Sequence, residues 1–247
     1  MKKDKTQLIY GRHPVIDAIN EGTNFDKIFL QQGTRGEFEK ELRKLCNKHN
    51  IPLTVAPKEK LNKFTRSNHQ GVIGLVSLIP YYLIEDLLPS IYENNENPLI
   101  LILDGVTDVR NFGAIARSAE ICGAHALVVP RKGSALINAE ALKTSAGALT
   151  KIPVCRENSL ITAIETIQMS GIKVMASSLK AEKLLFNFDL TEPVALIVGA
   201  EGEGISTGVE RKADELFIIP QAGTTDSFNV SVATGIMLYE VMRQRMV

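Results

Sequence analysis

The stretch 103–118, LDGVTDVRNFGAIARS, follows directly on the apolar run 99–103, LILIL. An uninterrupted apolar run of this length is typical of a strand buried on both faces, as in a parallel sheet. After a turn, Phe112, Ile115 and Ala119 recur at helical spacing, so the stretch predicts a strand, a turn and a helix. Because ligands of parallel α/β sheets bind beyond the carboxyl ends of the strands, we expect functional residues in and after this turn.

Polar residues repeat on the other face of that helix. Arg110 and Arg117 are seven residues apart, and Asn111 and Ser118 repeat the spacing beside them. Residues seven apart share a helix face, and two guanidiniums near a helix start can clamp phosphate oxygens. An ordinary exposed helix face with two surface arginines is the simpler account of the spacing alone.

Strands and helices alternate through the second part of the chain. Because the strands are apolar on both faces, this alternation predicts an α/β domain with a parallel sheet that helices cover on both sides. The expected strands lie at 99–103, 126–129, 152–154, 173–176, 194–198 and 216–219, and the expected helices at 110–122, 138–147, 159–169, 206–213 and 229–245.

The first part of the chain predicts a small α/β unit. Its expected helices lie at 12–20, 37–49 and 58–64, and its expected strands at 27–31, 53–55 and 72–78. A segment that ends in the polar run ENNEN before Pro98 looks like a flexible connector. The predicted organisation is therefore a small domain at 1–78, a linker at 79–97 and a large domain at 98–247.

The charge of the chain is balanced overall but divided unevenly. The 28 Lys and Arg match the 28 Asp and Glu, which by itself argues against a nucleic-acid partner. Residues 1–80 nevertheless hold 14 basic and 8 acidic residues, a net +6, against −6 for residues 81–247. Such asymmetry suggests that the first part faces a polyanion, although a chance imbalance on a solvated surface is as good an account.

Other classes of protein find no support in the sequence. Three cysteines, none in a CxxC pair, and four scattered histidines predict neither a zinc site nor disulfides, so we expect no metal. No apolar run reaches the ~18 residues of a membrane helix. The start, MKKDKTQLIY, lacks the apolar stretch of a signal peptide, so a cytoplasmic location is the default expectation.

Two further strand ends carry loops of interest. The segment 195–204, ALIVGAEGEG, matches neither GxGxxG nor the P-loop, which disfavours a nucleotide- or NAD-binding enzyme. Its glycines allow close backbone approach to a ligand, and Glu201 is either functional or a turn cap. In 217–239, FIIPQAGTTDSFNVSVATGIMLY, Asn229 is placed to cap the last helix. That helix is apolar around most of its girth, so it is buried or meets a partner subunit.

Three stretches together carry a resemblance to a known family. DGVTDVRNFGAIARSAE (104–120), LIVGAEGEGIS (196–206) and IPQAGTTDSFNVSVATGI (219–236) resemble, in order and separation, the three motifs of the SpoU, or TrmH-type, RNA ribose methyltransferases of the SPOUT superfamily. IYGRHPVIDAI (9–19) resembles the opening of the small RNA-binding domain of one branch. That branch includes enzymes that methylate a guanosine ribose of 23S ribosomal RNA. The resemblance spans nearly the whole chain and is weaker over 20–90.

The resemblance implies a fold, a cofactor and partners. The fold is a parallel α/β sheet whose C-terminal part forms a trefoil knot, which patterning alone would miss because knots are nearly absent from proteins. The cofactor is S-adenosylmethionine, held in the knot mainly by backbone groups. The partners are RNA, ribosomal RNA first and transfer RNA second, and a second copy of the chain, with the active site near the homodimer interface.

The resemblance also implies roles for individual residues. The catalytic positions are Asn111, Arg117, Glu201, Ser227 and Asn229; the walls of the cofactor site are Ser177, Gly199, Glu201, Gly204, Ile219 and Phe228; and the RNA-binding residues are Arg12, His13, Arg110 and Arg117. The family is commonly assigned an arginine as proton acceptor, yet an arginine stays protonated because its pKa exceeds ~12. We therefore expect Arg117 to bind the adjacent phosphate and to orient and polarise the hydroxyl, with the proton leaving through that phosphate.

The third motif departs from the family at two positions. Thr225 and Asp226 stand where many relatives carry small neutral residues, and Asp226 adds a negative charge close to the expected phosphate path. Two alternatives to a ribosomal RNA methyltransferase stay open. One is a transfer-RNA ribose 2′-O-methyltransferase of the same family. The other is a non-catalytic RNA-binding or ribosome-assembly factor on the same fold, which the intact catalytic positions disfavour.

Overall fold

The computed structural model describes residues 8–246, which divide into two compact units. The small unit comprises residues 8–80 together with 137–139, and the large unit comprises residues 81–136 and 140–246. Within 8–246, no helix combines the length and the apolar character needed to cross a membrane. The same residues contain no group of three or more His, Cys, Asp or Glu side chains placed to hold a metal ion.

The small unit is a four-stranded mixed sheet with helices packed against it. The strand order is β1-β4-β2-β3, in which β2 and β3 are parallel and β4 is antiparallel to both of its neighbours. Its core combines Phe25 and Ile28 of the sheet with Val15, Leu42 and Cys46 of the two longer helices. The elements are β1 (Leu8–Tyr10), α1 (Arg12–Asn20), β2 (Phe25–Gln31), α2 (Glu37–Lys48), β3 (Leu53–Ala56), α3 (Lys58–Asn62) and β4 (Val72–Val76).

The large unit is built on a six-stranded parallel sheet, which confirms the predicted α/β class. The strand order is β10-β8-β9-β5-β6-β7, and every neighbouring pair is parallel. The elements are α4 (Ile84–Glu93), β5 (Leu99–Asp104), α5 (Val109–Ile121), β6 (Ala126–Pro130), α6 (Ala139–Thr144), β7 (Val154–Glu157), α7 (Leu160–Met169), β8 (Lys173–Ser177), β9 (Val194–Gly199), α8 (Thr207–Glu210), β10 (Glu215–Phe217) and α9 (Val230–Arg245).

The two central strands explain where the functional loops begin. The run LILIL in β5 is at most 1% exposed, as expected for a strand covered on both faces. β5 pairs with β9 along their whole length, and the register ends with Asp104 opposite Gly199. The first and second motifs therefore leave the sheet side by side. The trefoil knot that the resemblance implies stays a prediction.

The connector predicted at 79–97 requires correction, because residues 84–93 form α4 within the large unit. Ile84, Leu88 and Ile91 of this helix are buried in the core of the large unit. The backbone N–H of Ile84 donates to the Glu157 Oε1 at 2.7 Å, which ties the helix start to the end of β7. The apolar residues of α4 recur at helical spacing in the sequence, but the polar run after them favoured the prediction of a connector.

Smaller differences from the predicted elements have local causes. The helix expected at 138–147 ends at Thr144, because Ala146 and Gly147 adopt left-handed φ values of 50° and 87°. The strand expected at 152–154 begins only at Val154, after a proline that has no N–H to give to a sheet. The short strand β1 was not predicted.

Arg245 fixes the last turn of α9 to the segments that precede the two central strands, β5 and β9. Its guanidinium donates to four backbone carbonyls, those of Asn97, Pro98, Leu190 and Glu192, at 2.7–3.1 Å. Loss of solvent around the guanidinium lowers the pKa of Arg245 from its ordinary value. The far end of α9 is thereby held, and the helix start is positioned at the carboxyl ends of the strands.

Candidate active site

The loop after β9 closes on itself through backbone contacts. Ala200 and Gly204 exchange two backbone hydrogen bonds of 3.0 and 2.9 Å. A Cβ atom placed on Gly199 would lie 2.0 Å from the carbonyl carbon of Gly204, so no side chain fits there. The backbone N–H of Ser206 donates to the Asp104 Oδ2 at 2.7 Å, which joins this loop to the end of β5. Gly199 therefore permits the close approach of two chain segments, whereas Gly202 and Gly204 adopt left-handed φ values of 83° and 72°.

Three predicted catalytic residues from three separate motifs meet in one polar cluster. The Asn111 Nδ2 donates to the Glu201 Oε2 at 3.2 Å, and the Asn229 Nδ2 donates to the Asn111 Oδ1 at 3.1 Å and to the Glu201 Oε2 at 3.4 Å. The two amides belong to the starts of α5 and α9, and both helix starts are capped. Asp108 accepts from the backbone N–H groups of Arg110 and Asn111, and Asn229 itself caps α9.

The orientation of the Asn229 amide follows from its capping role. Its Oδ1 accepts hydrogen bonds from the backbone N–H and the hydroxyl of Ser231, at 3.0 and 2.6 Å. Because a backbone N–H can only donate, the oxygen must face α9 and the NH2 group must face Glu201. One end of the Asn229 amide therefore caps α9, and the other end donates to Glu201.

A cavity of about 260 Å³ lies beside this cluster. Its lining includes every residue predicted to form the cofactor site, together with the predicted catalytic residue Ser227. The predicted wall residues are Ser177, Gly199, Glu201, Gly204, Ile219 and Phe228. The lining combines loop backbone, apolar side chains and carboxylates, which suits a ligand with a flat apolar part and a positive charge.

The cavity also contains charged residues that the sequence reading missed. Lys180, Glu203 and Glu210 belong to its lining. The Glu210 Oε1 accepts from the Ser178 hydroxyl at 2.8 Å, and its Oε2 lies 3.5 Å from the Lys180 Nζ. Ser178 directly follows β8, so the rule that ligands bind after parallel strands could have identified this segment. This segment contains no recognisable motif.

The two arginines of the first motif differ in their surroundings. The Arg110 Nε donates to the Glu140 Oε1 at 2.7 Å, and this contact raises the pKa of Arg110 from its ordinary value. Arg117 is exposed, and its side chain makes no hydrogen bond or ion pair with any residue between 8 and 246. It is not part of the cavity lining. The structure thus brings Asn111, Glu201 and Asn229 together. Arg117 belongs neither to this cluster nor to the cavity lining.

The predicted RNA-binding residues Arg12 and His13 lie in the small unit. Both line a second cavity, of about 670 Å³, which Lys58 and Arg66 also line. The guanidinium of Arg12 stacks at 5.1 Å over the ring of Phe38. The excess of positive charge noted in the first part of the sequence is therefore gathered, in part, around one concave surface.

Comparison with known proteins agrees with this arrangement. The model of the SpoU rRNA Methylase family matches residues 98–239. The model of the family described as RNA 2′-O ribose methyltransferase substrate binding matches residues 8–82. An AdoMet-bound rRNA methyltransferase from Sinorhizobium meliloti is similar in structure, with a TM-score of 0.61 at 26% identity over 96% of this chain and 86% of that one. Fold, site and matches define an RNA methyltransferase that uses S-adenosylmethionine. The chain belongs to the SpoU rRNA methylase family.

Named relatives extend over nearly the whole chain. The Escherichia coli K12 23S rRNA (guanosine-2′-O-)-methyltransferase RlmB is 36% identical over 242 residues, which cover 97% of this chain and 99% of the relative. The Bacillus subtilis putative TrmH family tRNA/rRNA methyltransferase YacO is 33% identical over 237 residues, which cover 96% and 95%. The similarity therefore includes the small unit as well as the methyltransferase unit.

Proposed function

We propose that this enzyme methylates the ribose 2′-hydroxyl of a guanosine in 23S ribosomal RNA. Relatives that are 36% identical over 97% of the chain carry the name of that reaction. The observation that carries the proposal is the Asn111–Glu201–Asn229 cluster, because it joins all three motifs beside a cavity lined by loop backbone. The basic cavity of the small unit supports a polyanionic substrate.

We assign cofactor binding to the cavity of the large unit. Bound S-adenosylmethionine supplies an electrophilic methyl group on a positively charged sulfur. Gly199 and Gly204 line the cavity and offer backbone groups for contact with it, and Ser177 offers a hydroxyl at the end of β8. Ile219 and Phe228 offer apolar surface for a flat base. The carboxylate of Glu201 provides negative charge, which attracts a cation.

The remaining roles concern the hydroxyl and its proton. Asn111 and Asn229 hold the Glu201 carboxylate in place, and Ser227 stands at the cavity to bind the incoming ribose. Methyl transfer is an in-line displacement, so alignment of the hydroxyl oxygen is the main requirement. Arg117 binds the phosphate next to that ribose and polarises the hydroxyl, and the proton passes to a phosphate oxygen, because a guanidinium cannot accept it.

Replacing Arg117 with Lys tests this role directly. Lys keeps the charge but loses the planar fork that binds phosphate through two N–H groups. We expect turnover to fall by about 100-fold, because a small misplacement of the reacting group costs that much. Transfer of labelled methyl groups to separated ribosomal and transfer RNAs measures it. Arg211→Lys, an exposed arginine of the same unit outside the cavity, is the matched control.

Three outcomes of this assay would change the assignment. Near-normal turnover of Arg117→Lys would contradict the geometric role of the guanidinium. Label that appears only in transfer RNA would identify transfer RNA, and not ribosomal RNA, as the substrate. No label in either RNA, with S-adenosylmethionine still bound, would favour a non-catalytic RNA-binding factor.

A homodimer through α9 also belongs to the proposed function. Val232, Ile236 and Tyr239 lie on one face of this helix and are 50%, 36% and 57% exposed, whereas Met237 and Leu238 are buried in the unit itself. An apolar stripe at this spacing suits contact with a second copy. We expect Ile236→Asp to give a monomer in sedimentation velocity. Met169→Asp changes an 81% exposed residue on α7 in the same way and should leave the assembly unchanged. An unchanged sedimentation coefficient in Ile236→Asp would contradict the α9 interface.

A further inference from the structure

The second cavity has the size and charge to hold a nucleotide. It lies in the small unit between the start of α1, the end of α3 and the loop before β4. Its charged side chains are Arg12, Lys58 and Arg66, and none of the described residues that line it is an Asp or Glu. Its volume of about 670 Å³ lies in the range of about 300–1,000 Å³ that is usual for sites of small molecules.

Two side-chain amides in the cavity have their oxygen atoms fixed by the backbone. The Gln70 Oε1 accepts from the backbone N–H of Arg12 at 3.0 Å, and the Asn68 Oδ1 accepts from the backbone N–H of Gln70 at 3.3 Å. A backbone N–H can only donate, so neither amide can turn its NH2 group toward it without losing the bond. The NH2 groups are therefore left for a ligand.

The buried ring of His69 fixes a third amide in the same sense. The backbone N–H of Gly71 donates to the His69 Nδ1 at 3.1 Å, so the proton of the neutral ring lies on Nε2. The Nε2–H then donates to the Asn62 Oδ1 at 3.0 Å. Because His69 is only 5% exposed, its ring is held in this position. The Asn62 NH2 group is thus the third donor that remains.

The cavity consequently presents many donors and few acceptors. Lys58, Arg66 and the three amide NH2 groups make no hydrogen bond or ion pair with another residue of the described range 8–246. Arg12 uses only its Nε, which donates to the backbone oxygen of Gln70 at 3.4 Å. Besides His69, the other polar side chains of the lining can donate as well as accept, and they are His13, Gln31, Thr34 and Ser67. A ligand rich in acceptor atoms matches this surface.

We propose that this cavity binds one unpaired RNA nucleotide through its phosphate and through the carbonyl oxygens of a uracil or guanine base. The inference rests on the proposed function only in taking RNA as the ligand. Phosphate oxygens accept hydrogen bonds, and so do uracil O4 and guanine O6, at the positions where cytosine and adenine carry amino groups that would face further donors. Base edges are accessible to side chains in unpaired RNA but not in the deep major groove of an RNA duplex.

Binding of short RNAs to the full chain tests the proposal. The probes are fluorescein-labelled oligouridylate, oligocytidylate of the same length and an RNA duplex of matched length, measured by fluorescence anisotropy at several salt concentrations. We expect oligouridylate to bind about fivefold more tightly than oligocytidylate, the lower end of what one base contact contributes. The duplex should bind more weakly than oligouridylate.

Two pairs of variants locate the effect. Asn68→Asp keeps an oxygen for the N–H of Gln70 but removes the NH2 donor, so it should abolish the preference for uracil; Asn47→Asp, the same change on exposed α2, should not. Arg66→Ala should weaken both single strands and reduce the slope of log K against log salt by about 0.7, the share of one phosphate contact. Lys44→Ala on α2 removes the same charge outside the cavity and should have a smaller effect.

The outcomes separate this inference from the proposed function. Equal affinity for the two single strands, tighter binding of the duplex, or equal effects of Asn68→Asp and Asn47→Asp would overturn the inference while methylation persists. A chain that methylates no RNA would overturn the proposed function, yet the uracil preference and its loss in Asn68→Asp would stand. Asn68 and Arg66 are exposed, and thermal melting of each variant verifies that it is folded.

Discussion

In the large unit, the side-chain amides of Asn111 and Asn229 donate to the carboxylate of Glu201. In the small unit, the side-chain NH2 groups of Asn68 and Gln70 donate to no other residue of the range 8–246. The side chains are of the same type, and in all four a backbone N–H or a neighbouring amide fixes the oxygen. What differs is the residue opposite the NH2 group. In one region the protein supplies the acceptor, and in the other the acceptor has to come from solvent or from a ligand.

The charges of the two regions follow the same division. Three carboxylates and one lysine line the cavity of the large unit, namely Glu201, Glu203, Glu210 and Lys180. The cavity of the small unit has basic residues and, among its described lining, no acidic one. The first surface suits a cationic cofactor and the second an anionic polymer. A net charge of zero for the chain conceals these two local fields, which is why total charge argued against a nucleic-acid partner.

Gly199→Ala is the strongest test of the first region. The added Cβ would lie 2.2 Å from both the Gly204 oxygen and the Ile205 nitrogen, so the loop has to move. We expect S-adenosylmethionine binding to weaken by up to about 100-fold, in keeping with the cost of overpacking. Isothermal titration calorimetry measures it, and binding of oligouridylate to the small unit should not change.

The control for this variant is Gly208→Ala. There the nearest atom to an added Cβ is the Ile161 Cδ1 at 3.5 Å, an ordinary contact. Unchanged cofactor affinity in Gly199→Ala would show that the closed loop does not shape the cofactor site. Loss of affinity in both variants would point to general disturbance of the unit instead.

Replacing Asn229 separates its capping role from its donor role. Ser is as good an N-cap as Asn, so Asn229→Ser should keep the free energy of unfolding while removing the donor to Glu201. We expect turnover to fall by about 10- to 100-fold, because the carboxylate loses part of its support. Asn229→Ala should show the same loss and, in addition, a cost of about 1 kcal/mol in the free energy of unfolding. Full activity in Asn229→Ser would mean that the cluster is only a helix cap.

Glu203→Gln gives the smallest expected effect and tests the charge of the cofactor cavity. Glu203 is exposed, so solvent and salt screen its field and the change in affinity should be only about two- to fivefold. The affinity for S-adenosylmethionine, which carries a charged sulfur, should fall. The affinity for S-adenosylhomocysteine, whose sulfur is neutral, should stay the same and serves as the control. An equal loss of affinity for both compounds would show that Glu203 acts through a contact that does not depend on the charge of the sulfur.

Much of the large unit could be predicted from local patterns. The runs in β5 and β9 are apolar on both faces, and the segments that follow them contain Asn111 and Glu201, two of the three residues of the cluster. The predicted cofactor walls all line one cavity, although their roles there stay a prediction. The helix α4 was not predicted, because the polar run after it is typical of a linker and the helix itself has only four apolar positions.

The hydrogen-bonding character of the small cavity could not be predicted from the sequence. It depends on which end of each amide faces inward, and that is set by contacts such as Arg12 to Gln70, which are 58 residues apart. Arg12 and His13 were identified by resemblance, but Arg66, Asn62 and Asn68 belong to a stretch in which no motif is recognisable. A pattern of residue types gives the number of donors present and not the direction in which they point.

The sequence separations within the polar cluster have a consequence for the order of folding. Asn111 meets Glu201 across 90 residues and Asn229 across 118. Five of the six strands of the large sheet precede residue 200, so a nascent chain of that length can form most of the sheet. Contacts this distant close slowly, and Asn229 is the last to be synthesised. A nascent chain of 200 residues therefore contains the small unit and five strands of the large sheet, while Glu201 and Asn229 of the polar cluster have still to be added.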